Sequence, residues 1–316
     1  MALLDLFRRR PTPPALPPPA PLQEILRQVR RVELRTRGLV TSRFSGEYHS
    51  VFKGQGIEFV EVREYLPGDD VRTIDWNVSA RTGGVFVKKY VEERELTVLL
   101  AVDLSGSQRW GTRARFKSEM VVEAAATLAM SAVRNNDRVG LLVFTDRVEL
   151  FVPPRKGRRH VMRILRDLIA FRPTGRGTDL AASIAYATRL LRSRSIVFVV
   201  SDFVVGPALA DVDRAFTAAS ARHDVIPVVL TDPADAELPD AGLLRVRDPE
   251  TGAEVIVDTS SHEIRERYRE AVGEERMAMR RIFRRLGMEE IALATDEPTS
   301  NAVLSFFRRR ERRLRQ

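Results

Sequence analysis

Apolar runs and their spacing divide the chain, from about residue 96 onward, into alternating buried strands and helices. Val98 to Val102 is an unbroken apolar segment, too short for a helix and typical of a strand covered on both faces in a parallel sheet. Ile196 to Val200 and Val225 to Leu230 read the same way. Phe116 to Arg134 puts Met120, Ala124, Leu128 and Val133 on one face of a long helix, and Val161 to Phe171, Leu180 to Leu191 and a segment from about Pro207 are further helices. Val139 to Phe144 and Val148 to Val152 flank Thr145-Asp146-Arg147 as a hairpin. A second hairpin is expected from Leu243–Val246 and Val255–Val257 around the turn Asp248 to Gly252. A charged helix from about Glu263 to Leu286, a strand Glu290 to Ala294 and a helix from about Ser300 close the chain. Strands alternating with helices predict an α/β fold, a doubly wound and mostly parallel sheet with one antiparallel edge strand.

The pattern changes upstream. Residues 11–21, PTPPALPPPAP, lack most backbone donors and predict an extended tether, so residues 1–21 form a disordered tail or, through Ala2 to Phe7, a docking peptide. Leu22, Ile25, Leu26 and Val29 recur at helical spacing, with Gly38 as a stop. Residues 40–95 intersperse glycines with the β-type runs Ile57 to Val62 and Val85 to Tyr90, which predicts a small β-rich unit. The expected organisation is a tail over 1–21, a helix and β-rich domain over 22–95, and the larger α/β domain over 96–316, with an insertion at about 242–286.

Composition narrows the function classes. The chain has 52 basic and 43 acidic residues among 316, but its ends hold most of the excess: residues 1–10 carry +2 and 308–316 carry +5. A uniformly basic nucleic-acid surface is therefore not expected. There is no cysteine and only four histidines are present, so thiolate and histidine metal sites are excluded or unexpected. No apolar stretch approaches the roughly 18 residues of a spanning helix, and Arg8 to Arg10 follow Met1 to Phe7 rather than preceding it as in a secretory signal. A cytoplasmic protein without a transmembrane segment is expected.

Three loops then share one end of the expected sheet: Asp103-Leu104-Ser105-Gly106-Ser107, Gly175 to Asp179, and Ser201-Asp202. In open α/β sheets ligands bind beyond the carboxyl ends of the strands. Carboxylates and hydroxyls gathered there suit a hard cation, Mg²⁺ first and Mn²⁺ or Ca²⁺ as alternatives, with a position left open for a partner's oxygen. Taken singly, Ser107 and Thr178 read equally as helix caps and Asp103 as a turn cap.

The joint order, DxSxS after a first strand, Gly-Thr opening a middle helix and Asp ending the next strand, resembles the von Willebrand factor A fold with its metal-ion-dependent adhesion site, over about residues 96–308. By that resemblance Asp103, Ser105 and Ser107 would hold the metal, Thr178 would bind it directly or through water, and Asp202 would act through water. The open coordination site in that fold usually accepts a partner's carboxylate. Phe203 stands where many such domains have glycine. The upstream run GQGIEFVEVREYLPGDD, with VRTIDW and SAR after it, is similar to the bacterial domain-of-unknown-function family 58. That resemblance implies an adaptor or co-chaperone working with a MoxR-type AAA+ ATPase on client proteins.

Two surfaces are candidates for partners. Arg109 and Arg176 flank the loops and favour an acidic ligand, unless they are simply solvated. Arg63, Asp69, Asp70, Arg72 and Asp75 form either a partner-binding face or a turn and ion-pair network, with Trp76 as a core anchor in the second case. The leading expectation is a noncatalytic, Mg²⁺-dependent protein-binding module. A metal-dependent hydrolase ranks second because no histidine or cysteine base accompanies the loops and Ser105 lacks a nucleophile-elbow setting. Nucleic-acid or peripheral membrane contact through the Arg308 to Arg315 tail ranks third.

Overall fold

The computed structural model describes residues 22–39, 48, 51–52, 56–93, 95–106, 116–175, 177–248 and 252–314. Helix α1, Leu22–Leu39, leads to an antiparallel ribbon of β1, Gly56–Glu64, and β2, Phe86–Glu93. Their connection carries a 3-10 turn at Val71–Thr73 and the short helix α2, Trp76–Thr82. The larger unit follows in the order β3 Thr97–Asp103, α3 Lys117–Arg134, β4 Arg138–Phe144, β5 Val148–Arg155, α4 Arg158–Ala170, α5 Leu180–Leu190, β6 Ile196–Ser201, α6 Leu209–Ser220 and β7 Asp224–Thr231. It continues with β8 Leu243–Arg247, β9 Glu254–Asp258, α7 His262–Arg285, β10 Ile291–Ala294 and α8 Thr299–Leu314.

Six of these strands form one sheet in the order β10-β7-β6-β3-β4-β5. All neighbours are parallel except β5, which returns antiparallel beside β4 at the edge. Strand β3 is central because the chain first builds outward through β4 and β5 and then crosses to β6 on the other side. The strand order therefore switches between β3 and β6, which opens a crevice at their carboxyl ends. This is the doubly wound, mostly parallel arrangement expected from the sequence, with its single antiparallel edge.

Side-chain alternation explains why β3 reads as continuously apolar. Val98, Leu100 and Val102 face one core, with α3, α4 and α8, while Leu99 and Ala101 face the other, with α5, α6 and α7. Both faces are covered, so both parities must be apolar. Asp103 and, on β6, Ser201 continue the parity of Ala101 and Val199, so both lie on the α5–α6 side.

Helix α3 is alanine-rich and buried along most of its length, which lets it lie close against the sheet. Tyr48, Phe52, Phe198 and Phe307 stack at centroid distances of 4.9 to 6.3 Å, seating the segment before β1 and helix α8 on the same face. Tyr48 Oη also donates to Asp137 Oδ2 at 2.9 Å.

The segment after β7 has two characters. Strands β8 and β9 form their own two-stranded sheet, whereas the last turns of α7 enter the main core through Met279, Ile282 and Phe283. The arginine-rich end is helical in α8. Arg310 pairs with Asp224 and lies 5.0 Å over the Phe52 ring, and Arg313 reaches Glu289 at 3.0 Å. Two of the tail's cations thus hold the helix to the domain. No helix among the described residues is long and apolar enough to cross a membrane.

Candidate functional site

The carboxyl end of β3 delivers Asp103, fully buried, into the crevice at the switch point. Its Oδ1 accepts from Ser105 N and its Oδ2 from Ser201 Oγ, both at 2.8 Å. These bonds fix the carboxyl group between the ends of β3 and β6. Burial, and then the neighbouring Asp202 carboxylate, push the Asp103 pKa up to about 7, while the Ser105 and Ser201 bonds pull it down. A buried acid facing a second acid is a site where added positive charge is strongly favoured.

Asp202 follows β6, and its Oδ1 accepts from Val204 N at 3.5 Å. Phe203 adopts a left-handed backbone, φ 57°, at the position where the resemblance leads one to expect glycine. The conformation costs about 1–2 kcal/mol for a residue with a side chain. Burial against Phe283 and Phe216, at 5.3 and 6.2 Å, offsets it. Phe203 N also donates to Ser201 Oγ at 3.1 Å, so Ser201 links this turn to Asp103. Glu275 of α7 accepts from Val205 N and Gly206 N at 3.0 and 2.7 Å, fixing the far side of the loop.

The third loop is tied down from β4 and β5. Glu149 Oε1 accepts from Thr145 Oγ1, Thr174 N and Gly175 N at 3.0, 3.0 and 2.6 Å. A Cβ at Gly175 would overlap Thr145 Oγ1 and Asp146 Oδ1, so only glycine lets the loop pass this close to the end of β4. Asp179 N then donates to Thr145 O at 2.8 Å, and the Asp179 side chain caps α5 by accepting from Ala182 N. Thr178 sits between these anchors, half-buried, at the mouth of α5.

One cation at this edge had not been expected. Lys117, the first residue of α3, is 2% exposed, and its Nζ lies 2.8 Å from Asp235 Oδ2 and 3.4 Å from Asp202 Oδ2. Asp235 follows β7, accepts from Asp232 N, and has Arg276 of α7 at 3.8 Å. The sequence held a signal for Lys117: a lysine in the first turn of a helix opposes the helix dipole, and Phe116 before it supplies no side-chain cap. Such a lysine needs an anion elsewhere.

The structure thus brings Asp103, Ser105, Ser201 and Asp202 to one edge, with Lys117 and Asp235 beside them. Ser107, Arg109 and Arg176 lie outside the described residues. In the β1–β2 connection, Arg63 grips Asp69 with two bonds of 2.8 and 2.7 Å, which hold the Asp69 carboxyl below its usual pKa. Asp70 caps the 3-10 turn through Arg72 N, and Asp75 caps α2 through Asn77 N and Val78 N and lies 3.5 Å from Lys88. Those carboxylates accept from backbone amides of the turn, the 3-10 turn and the start of α2. Trp76 does not anchor a core: it is 69% exposed because it opens α2 on the outer side, and Leu66, Val71 and Val85 are exposed around the same connection.

The donor set fits a hard divalent cation. Asp103 and Ser105 are buried, Asp202 faces Asp103, and Thr178 stands on the adjoining loop, all oxygen donors. Among the described residues no three histidine, aspartate or glutamate side chains form a metal cage, so hydroxyl donors would have to complete the shell. The Asp103 carboxyl, raised by burial and like charge, is the group a bound cation would return to its ionised form.

The family model for the Protein of unknown function DUF58 matches residues 61–278. Over 288 residues the chain is 33% identical to an uncharacterized protein of Mycobacterium tuberculosis, covering 90% of this chain and 89% of that one. It is 29% identical over 107 residues to the uncharacterized protein YeaD of Bacillus subtilis, covering 34% of this chain and 25% of that one. Among solved structures, an aerotolerance-related membrane protein from Bacteroides fragilis is 18% identical, with a TM-score of 0.45 over 69% of this chain and 99% of that chain. A von Willebrand factor type A protein from Catenulispora acidiphila is 17% identical, with a TM-score of 0.34 over 60% of this chain and 44% of that chain. The matched segment takes in the β1–β2 connection and the whole edge from Asp103 to Asp235, and on that match the chain belongs to the DUF58 family.

Proposed function

We propose that the protein is a noncatalytic adaptor that binds partner proteins through a divalent cation, Mg²⁺ first, at the carboxyl edge of β3 and β6. One observation carries this reading: a fully buried Asp103 at the end of β3 is held by Ser105 and by Ser201 of β6, and Asp202 is the next residue after Ser201, so the two carboxylates share the edge at a topological switch point. Asp103, Ser105 and Ser107 would hold the ion, with Thr178 and Asp202 completing its surroundings. When bound, the ion supplies a Lewis-acid position that accepts an acidic side chain from a partner. Arg109, two positions after Ser107 in the sequence, and Arg176, two before Thr178, would favour the same ligand charge.

The partner we propose is a MoxR-type AAA+ ATPase or its client. The exposed Trp76, with Leu66, Val71 and Val85 exposed on the same β1–β2 connection, favours a second contact there, since an exposed tryptophan is a frequent centre of protein interfaces and clustered exposed apolar residues mark interaction surfaces. Association with such an ATPase in the cytoplasm is part of the same proposal.

A pulldown with wild type and Asp103→Asn, each in Mg²⁺ and in EDTA, tests it. Capture of the ATPase that requires both Asp103 and Mg²⁺ is the expected outcome. Capture that is equal in all four conditions would remove the metal from the account and leave the β1–β2 connection as the binding face.

A further inference from the structure

We propose that Lys117 is a tethered competitor of the divalent ion: its ammonium neutralises Asp202 when no ion is bound and must yield to let an ion bind tightly. The inference rests on the divalent-ion reading above and concerns its regulation. Lys117 is almost fully buried, and among the described residues its acidic partners are Asp202 and Asp235. A buried ammonium is retained only where anions pay for its desolvation. Here one of those anions is Asp202, the residue after Ser201, whose hydroxyl donates to Asp103.

The two contacts are unequal. The 2.8 Å bond to Asp235 is a close ion pair, and the 3.4 Å approach to Asp202 is looser. Asp235 is itself fixed, through its bond from Asp232 N and the nearby Arg276 on α7. Lys117 therefore has a firm anchor on the β7 side and a weaker hold on the Asp202 side. A shift of the ammonium toward Asp235 frees Asp202, and a shift toward Asp202 closes the site by charge. Arg276 competes for Asp235 and neighbours Glu275, which caps the Asp202 loop, so α7 is placed to bias that choice.

Mn²⁺ alone, titrated into the full chain and followed by calorimetry or by its paramagnetic resonance signal, tests the idea. Lys117→Met, which keeps the length and apolar stem without the charge, is expected to bind Mn²⁺ at least about tenfold more tightly than wild type, because a fixed positive charge a few ångströms from the ion is removed. Asp235→Asn, which loosens the anchor, is expected to weaken Mn²⁺ binding by about threefold in wild type, and that loss should largely vanish in the Lys117→Met background. A lysine that only supports the fold would lower the melting temperature without tightening Mn²⁺.

Mn²⁺ binding of equal or lower strength in Lys117→Met overturns the proposal while leaving the metal site intact. If Lys117→Met does not fold, Asp235→Asn decides, and unchanged or tighter Mn²⁺ binding there overturns it. Absence of Mn²⁺ binding in every variant would remove the metal reading and this inference together.

Discussion

Two buried aspartates sit at opposite edges of the same sheet and do different things. Asp137 precedes β4 at the amino edge, where its oxygens accept from Tyr48 Oη and Leu96 N, both at 2.9 Å. Asp103 ends β3 at the carboxyl edge, where its oxygens accept from Ser105 N and Ser201 Oγ. Burial raises both, Asp137 to about 6 and Asp103 to about 7. The difference lies in the company they keep. The smaller charge effects on Asp137 come from Glu95 and Lys156 and oppose each other, whereas Asp103 faces the like charge of Asp202. Hydrogen bonding alone would make the two equivalent. The like charge of Asp202, which Lys117 approaches at 3.4 Å, sets Asp103 apart as the carboxyl at which the proposed cation would sit.

The strongest way to break this contrast is to remove each carboxylate. Asp137→Ala leaves Tyr48 Oη and Leu96 N without their acceptor in a buried place, and should cost about 3 kcal/mol of stability by urea unfolding. Asp103→Asn keeps an acceptor and removes the repulsion with Asp202, so in the absence of divalent ions its cost should stay within about 1 kcal/mol. Equal losses would make Asp103 a structural residue like Asp137.

The loop on the Asp103 side can be strained independently. Phe203→Ala should lose about 3 kcal/mol of burial and keep the unfavourable left-handed backbone, whereas Phe203→Gly relieves that backbone and should recover about 1 kcal/mol of the loss. A glycine variant less stable than the alanine variant would show that backbone strain at 203 plays no part.

Acidity offers a third comparison. Both groups have folded pKa values above the unfolded carboxyl value, so the native state binds the extra protons. Their contribution is fully present below about pH 4 and is lost as pH rises, through about 6 for Asp137 and about 7 for Asp103. Thermal unfolding between pH 4.5 and 7.5 should show a shallower decline in Asp137→Asn up to about pH 6, and a shallower decline in Asp103→Asn that extends to about pH 7. Identical slopes in wild type and both variants would contradict the assignment.

The smallest of these effects concerns the third loop. Gly175→Ala forces Thr145 and Asp146 aside and should cost about 1–2 kcal/mol, with a larger proportional loss in divalent-ion affinity as Thr178 shifts. A change in stability with no change in ion affinity would detach Thr178 from the site.

Much of this architecture was legible in the chain because its signals were local. The apolar run Val98 to Val102 announced a strand covered on both faces, and the order of Asp103, Thr178 and Asp202 placed three loops at one edge. The position of Lys117 signalled only that it needs an anion, and its pairing with Asp235 was not legible, since nothing short-range shows that the start of α3 meets the turn after β7; only the strand order brings them together. Trp76 was misjudged for a related reason. A tryptophan beside a tight turn reads as an anchor, but among the described residues no second layer covers the two-stranded ribbon there, and Trp76 is exposed. Phe203 shows the converse: a sequence departure at a left-handed position is offset by aromatic neighbours that come from α6 and α7.

The most direct test of the account is the melting temperature of wild type, Asp103→Asn and Asp137→Asn as Mg²⁺ is raised from zero to millimolar concentrations. Binding to the native state alone stabilises by about 2.7 kcal/mol at a hundredfold excess over Kd, which corresponds to a shift of roughly 5 °C for a chain of this size. The account predicts that shift in wild type and in Asp137→Asn, and its loss in Asp103→Asn. A shift that survives in Asp103→Asn, or one absent from wild type, would contradict a cation held at the carboxyl edge of β3.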